Sequence, residues 1–134
     1  MKVKKFPILL ALAALVLAAL ACEFSASTAN IADAWTSTDE AGDARTTVFA
    51  QDAGFYAQVD LRNAPDDTTL KAVWTAVDAQ DTDPNLVITE TEITTGSDLV
   101  HFSLTNGNLW PTGQYKVDIY LDGQLAETLA FEVR

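Results

Sequence analysis

The chain has 134 residues, with 19 acidic side chains against eight basic ones, a formal net charge of −11 and one cysteine. Such an acidic surface repels phosphate backbones, which excludes nucleic acid as a partner, and a single cysteine leaves no partner for an intrachain disulfide. The charge is unevenly spread along the chain. Lys2, Lys4 and Lys5 precede an apolar run from Phe6 to Ala21, broken only by Pro7. That order reads as the n-region and h-region of a secretory signal helix. It is shorter than the roughly 20 apolar residues a membrane-spanning helix requires. All 19 acidic residues follow Cys22, and the only basic residues there are Arg45, Arg62, Lys71, Lys116 and Arg134. The part after the signal therefore carries five positive and 19 negative charges, a net −14.

The apolar run ends in Ala19-Leu20-Ala21-Cys22. This segment resembles the lipobox of bacterial lipoproteins, with Leu one place nearer the cysteine than in the commonest form. The resemblance covers about the first 22 residues. It implies that the Cys22 thiol carries a diacylglycerol, that cleavage falls before Cys22, and that Cys22 becomes the first mature residue. Each buried CH₂ contributes about 0.8 kcal/mol, so two or more acyl chains hold a domain at a membrane without a spanning helix. The expectation is an extracytoplasmic lipoprotein, anchored in the cell membrane or outer membrane through Cys22. Residues 1–21 form the signal, and residues 22–44, rich in Ala, Ser, Thr and Asp, form a tether. Trp35 suggests that the chain begins to pack near Ile31 to Thr38.

From Arg45 onward the apolar period is two. A first strand is expected over Arg45–Ala50. Phe55, Ala57, Val59 and Leu61 alternate with Tyr56, Gln58, Asp60 and Arg62. Leu70, Ala72, Trp74 and Ala76 then alternate with Lys71, Val73, Thr75 and Val77. A further strand is read over Leu86–Thr94, and Val100, Phe102 and Leu104 alternate with Leu99, His101 and Ser103. Tyr115, Val117, Ile119 and Leu121, and finally Leu129, Phe131 and Val133, repeat the pattern. Such alternation marks strands with one buried face. Turn residues separate them, and Asp122-Gly123 suits a type I′ hairpin, which needs positive φ at both central residues. About seven antiparallel strands result, an all-β sandwich over 45–134 with one core.

Trp110-Pro111-Thr112-Gly113-Gln114-Tyr115-Lys116-Val117 resembles the approach to strand F of immunoglobulin-like domains, where a Gly-x-Tyr-x-Cys run holds the tyrosine corner. The resemblance spans residues 45–134. It implies that Tyr115 bonds back to the chain, that Val117 and Val59 take the places of the two disulfide cysteines, and that Trp74 is the buried tryptophan of strand C. Both cysteines are absent. This architecture hosts many unrelated functions and does not itself assign one.

The side chains offer little chemistry. His101 is the only histidine, so any nucleophile–histidine arrangement would have to use it, and alternation places it on an outward face. No His/Cys cluster suits zinc and no glycine-rich loop suits phosphate. Asp39-Glu40-x-x-Asp43, Asp66-Asp67 and Asp78-x-x-Asp81-x-Asp83 carry the hard oxygen ligands that calcium prefers, but none has an EF-hand pattern, and acidic loops are usually solvated turns. No cofactor is expected and no enzyme activity. Tyr56 and Tyr120 fall on outward faces and Trp110 in a loop, so these three are the candidate partner contacts, with packing over the core as the alternative for Trp110. Tyr56 and Tyr120 belong to strands expected in opposite sheets, and so to separate surfaces. Two readings stand: a non-catalytic envelope module that binds another envelope protein or acts as a spacer, or an inhibitor or ligand-binding lipoprotein, for calcium or carbohydrate, in which a loop such as Asp78–Asn85 or Asn106–Gly113 enters a partner's cleft. Exposed, rigid loop tips distinguish the second.

Overall fold

A computed structural model describes residues 28–134 of the chain; the expected signal helix, the lipobox and Cys22 lie outside the described residues. Eight strands run β1 (Asn30–Ser37), β2 (Val48–Phe49), β3 (Phe55–Arg62), β4 (Thr68–Ala79), β5 (Leu86–Thr95), β6 (Asp98–Leu104), β7 (Gly113–Leu121) and β8 (Gln124–Val133). They form a three-stranded sheet, β1-β3-β6, and a five-stranded sheet, β2-β8-β7-β4-β5. This is the expected immunoglobulin-like sandwich, with the three-stranded sheet in the place of strands A, B and E, and β7, β4 and β5 in the places of F, C and C′.

Alternation decides which side chains meet between the sheets. Phe55, Ala57, Val59 and Leu61 of β3 are at most 1% exposed, as are Leu70, Ala72 and Trp74 of β4 and Val117 and Ile119 of β7. Val59 and Val117 lie in opposite sheets, where the resemblance put the two missing cysteines, and apolar packing takes over the role of the bond. One end of the core is aromatic. Phe55 stacks on Trp110 with ring centroids 4.6 Å apart and meets Phe49, Phe131 and Tyr115 edge-on at 5.0, 4.9 and 5.8 Å.

The expected boundaries need two corrections. The sandwich starts at Asn30, not at 45, because β1 pairs with β3 from Asn30↔Arg62 to Ser37↔Tyr56. Residues 30–44 of the expected tether are therefore part of the fold. The expected strand over Arg45–Ala50 is also shorter than its pattern. Arg45 bridges Ser37 at the edge of one sheet, whereas Val48 and Phe49 pair with Glu132 and Val133 of β8 in the other. The segment crosses between sheets, so only two residues remain in strand geometry, and their pairing is parallel, the one exception to the antiparallel expectation.

The hairpin turn behaves as read. Asp122 and Gly123 have φ of 48° and 80°, and Leu121 pairs directly with Gln124. The registers also give the sandwich two distinct ends. The start of β1, the loop 63–67, the turn 96–97 and the turn 122–123 share one end. The loops 38–47, 50–54, 80–85 and 105–112 and the C-terminal residue share the other.

Candidate functional site

Trp110, a candidate contact whose alternative is packing over the core, is a core residue: it is 6% exposed. Its indole stacks on Phe55, and its Nε1–H donates to the Ala53 carbonyl at 2.9 Å. The backbone of the same residue is held twice more. Trp110 N–H donates to the Gln51 carbonyl at 2.8 Å, and the Gln51 side-chain amide donates to the Trp110 carbonyl at 3.0 Å. One residue later the tyrosine corner closes, with Tyr115 Oη donating to the Pro111 carbonyl at 2.6 Å. Burial pushes the Tyr115 phenol above its ordinary pKa, which keeps it in the form that can donate.

Gly113 explains how this corner fits against β4. Its φ is +148°, and a Cβ there would lie 2.2 Å from the Asp78 carbonyl oxygen. Beside it the register shifts between Ala76 and Asp78, a bulge that lets the loops 80–85 and 105–112 approach. Gln80 N–H donates to the Thr112 carbonyl at 2.9 Å, and Asn85 N–H to the Val77 carbonyl at 3.0 Å.

The outcome is a braced end with apolar residues exposed on it. Leu109, next to the anchored Trp110, is 62% exposed, and Leu86 is 45% exposed. Leu86 also lines a notch of about 200 Å³, together with Ala76, Ile88, Trp110, Pro111 and Tyr115 among others. Asp81 and Asp83 stand exposed beside it. Leu86 and Leu109 were not singled out from the sequence. The available signal was compositional: a leucine in the otherwise polar run Asn106-Gly107-Asn108 has no strand partner to bury it.

The other candidates lie elsewhere. Tyr120 is half-buried on the outer face of the five-stranded sheet, under the Lys71 ammonium at 4.7 Å from the ring centroid and opposite the exposed Leu125. Tyr56 is half-buried on the outer face of the three-stranded sheet, its ring 6.5 Å from that of His101. The two tyrosines occupy opposite sheets, as expected. Trp35 is covered on one side by the Arg45 guanidinium, 3.8 Å from its ring centroid. Among the described residues the aromatic side chains therefore do not assemble into one open platform.

The only histidine pairs with an exposed acid: His101 Nε2 lies 3.3 Å from Glu40 Oε1. Glu40 belongs to the loop 38–44, which folds over the outer face of the three-stranded sheet. Gln58, 1% exposed, donates its amide to the Glu40 carbonyl at 2.9 Å beneath that loop, and Trp35 Nε1–H donates to the Gly42 carbonyl at 2.9 Å. The Asp39 carboxylate accepts from the backbone N–H groups of Ala44 and Asp43 at 3.0 and 3.1 Å, bonds that hold its pKa below the ordinary aspartate value. Both of its oxygens serve the turn. Among the described residues no three His, Cys, Asp or Glu side chains are grouped to hold a metal ion, and no helix is long and apolar enough to cross a membrane.

No protein-family model matches the chain, and no curated protein does. Solved structures do. The chain is similar to an immunoglobulin-like protein from Pseudomonas aeruginosa, with a TM-score of 0.54 and 15% identity over 81% of this chain and 98% of that one. It is also similar to part of a Pseudomonas fluorescens alkylpurine DNA glycosylase (TM-score 0.53, 10% identity, 81% of this chain, 31% of that one). A Listeria innocua β-glucosidase is similar in part as well (TM-score 0.51, 14% identity, 79% of this chain, 16% of that one). At these identities the likeness shows the fold, an immunoglobulin-like β-sandwich; it carries no activity across.

Proposed function

We propose that this chain is a lipid-anchored, extracytoplasmic binding module that meets a protein partner through the end of the sandwich opposite its N-terminus. The observation that carries the reading is the braced tip. Trp110 and Pro111 are held by four hydrogen bonds with Gln51, Ala53 and Tyr115, and the residue just before them, Leu109, is exposed to solvent. A rigid exposed apolar residue loses little conformational entropy on binding, which is what an interface anchor requires. Rigid tips are also the feature that favours the loop-mediated reading over a featureless spacer.

Polarity along the sandwich supports the same arrangement. Cys22 stands six residues before Thr28, a reach of at most about 22 Å at ~3.6 Å per residue. Thr28 Oγ1 donates to the Asn63 carbonyl at 2.7 Å, at the end that holds the turns 96–97 and 122–123. A lipidated Cys22 keeps that end near the lipid and turns the loops 80–85 and 105–112 away from it. The role is non-catalytic.

The test is site-specific photo-crosslinking in intact cells. A photoreactive residue at Leu109 or Leu86 should give a discrete protein adduct, and one at Asp122 should not. Adducts of equal yield from both ends, or from neither, would overturn the reading. Labelling with a clickable fatty acid, lost in Cys22→Ser, tests the anchor separately.

A further inference from the structure

We infer that β5 is an acceptor edge for an extended peptide segment whose alternate residues are Lys or Arg. β5 is the outermost strand of the five-stranded sheet, ten residues long, and among the described residues pairs only with β4. It contains no Pro, Gly, Lys or Arg, so the usual blocks to edge pairing are missing apart from its glutamates and one bulge opposite Trp74/Thr75. The edge of β1 in the other sheet is treated differently: Thr46 N–H donates to the Thr36 carbonyl and Thr38 N–H to the Ala44 carbonyl, so the chain's own loop closes it.

Ile88 and Ile93 of β5 pack against the core, but most of the strand's other residues are exposed. Thr89 and Thr91 share the inward side with Trp74 and Ala72 through the register, yet both are exposed. Glu90 and Glu92 stand exposed on the outward side, and Val87 is 55% exposed. An added strand would meet β-branched residues on one face and two carboxylates on the other. Main-chain pairing supplies affinity in such augmentation, and the alternate side chains supply selection.

The carboxylates choose the occupant. A second copy of this chain pairing antiparallel through β5 would, in the registers of longest overlap, set Glu90 and Glu92 against each other or against themselves, and like charges directly opposite are destabilising. A strand with basic residues opposite Glu90 and Glu92 turns the same two positions favourable. The net −14 of the chain after Cys22 draws the same partner in.

The experiment uses the full chain in mild detergent at about 0.15 M salt, where long-range attraction is screened. The probes are two dye-labelled peptides of about ten residues, built from Thr and Val with either Lys or Glu at alternate positions. Anisotropy should report binding of the Lys peptide and none of the Glu peptide. Glu90→Lys with Glu92→Lys should weaken the Lys peptide by about tenfold or more and admit the Glu peptide, a gain that an unfolded variant would not show. Asp43→Lys with Glu127→Lys, exposed positions away from β5 and the tip, should change neither preference. Equal loss from both double variants would reduce the effect to bulk charge and overturn the proposal. So would absence of Lys-peptide binding, peptide-induced amide shifts away from β4 and β5, or sedimentation as a dimer that the Glu90→Lys, Glu92→Lys variant abolishes or strengthens.

Discussion

Replacing Trp110 with alanine separates a structural tryptophan from a contact residue by about an order of magnitude in free energy. The indole is 6% exposed, stacks 4.6 Å from Phe55, lies edge-on to Tyr115 at 6.3 Å, and donates to the Ala53 carbonyl. A buried aromatic side chain removes on the order of 150–250 Å² from water, worth roughly 4–6 kcal/mol at ~25 cal/mol per Å². The retained Cβ and partial collapse of the loop 105–112 reduce this; the lost hydrogen bond adds about 1 kcal/mol. The expected cost is therefore about 3–5 kcal/mol. Trp110→Phe keeps the stacking on Phe55 and should cost roughly 1–2 kcal/mol. Leu109→Ala, one residue away and 62% exposed, should stay within about 0.5 kcal/mol. Urea unfolding of a form beginning at Thr28, followed by circular dichroism, gives all three. A Trp110→Ala cost below about 1 kcal/mol would mean that the indole is not held in the core and that the tip is not braced.

Tyr115→Phe should lose about 1 kcal/mol through its bond to Pro111, a drop of several degrees in melting temperature. Because burial raises the Tyr115 pKa in the folded state, stability should be full below about pH 10 and decline above it; the phenylalanine variant should lack that part of the decline. Asp39 has the opposite sign. Its folded pKa is lowered chiefly by the Ala44 N–H, so the stability it supplies is present above about pH 4 and lost as pH falls through the folded value. Melting curves of Asp39→Asn against acid should be flatter there than those of the native chain. Gly113→Ala should cost about 2 kcal/mol or more, since its Cβ would strike the Asp78 carbonyl at a φ that side chains rarely adopt. Trp35→Ala should loosen the loop 38–44, read as faster amide exchange at Gly42 and Asp43, while leaving Leu109 unchanged.

Most of the sandwich was legible because alternation is a local signal. Phe55 to Arg62 and Tyr115 to Leu121 announce their buried faces residue by residue, and Asp122-Gly123 announces its turn. The motif around Tyr115 gave the corner. β1 was not legible in the same way: among Asn30 to Ser37, only Ile31 and Trp35 interrupt polar or small residues, and its burial pattern is mostly open at the start. What makes it a strand is its pairing with β3, which composition does not reveal. Trp110 was a candidate contact with packing over the core as its alternative, and the alternative holds. The sequence could not decide between them, because the partners that cover it, Phe55, Gln51 and Ala53, all lie more than 50 positions away. Leu109 and Leu86 were hidden by the converse effect, since an exposed leucine is unremarkable until its neighbours are shown to be rigid.

The exposed surface divides by what each part can exchange with a partner. The outer face of the three-stranded sheet has already used its polar groups: Gln58 is committed to the loop 38–44, Asp39 to its own turn and His101 to Glu40. Across the five-stranded sheet, Lys116 pairs with Asp118 at 3.2 Å, Thr128 Oγ1 donates to Asp118 at 2.6 Å, and Lys71 covers Tyr120. A partner landing on either face would have to displace these contacts. The tip around Leu109 and the edge of β5 ask for no such displacement: one offers apolar area on a fixed frame, the other open backbone between carboxylates. Recognition that costs least in broken internal bonds therefore falls at those two places. They are contiguous through Leu86, the first residue of β5 and part of the lining of the notch. A single extended basic segment with an apolar end could engage both. The combined variant Leu86→Asp with Glu90→Lys should then lose more binding than its single changes predict by addition, because neighbouring contacts on one ligand are coupled. Strict additivity would make the tip and the edge independent sites.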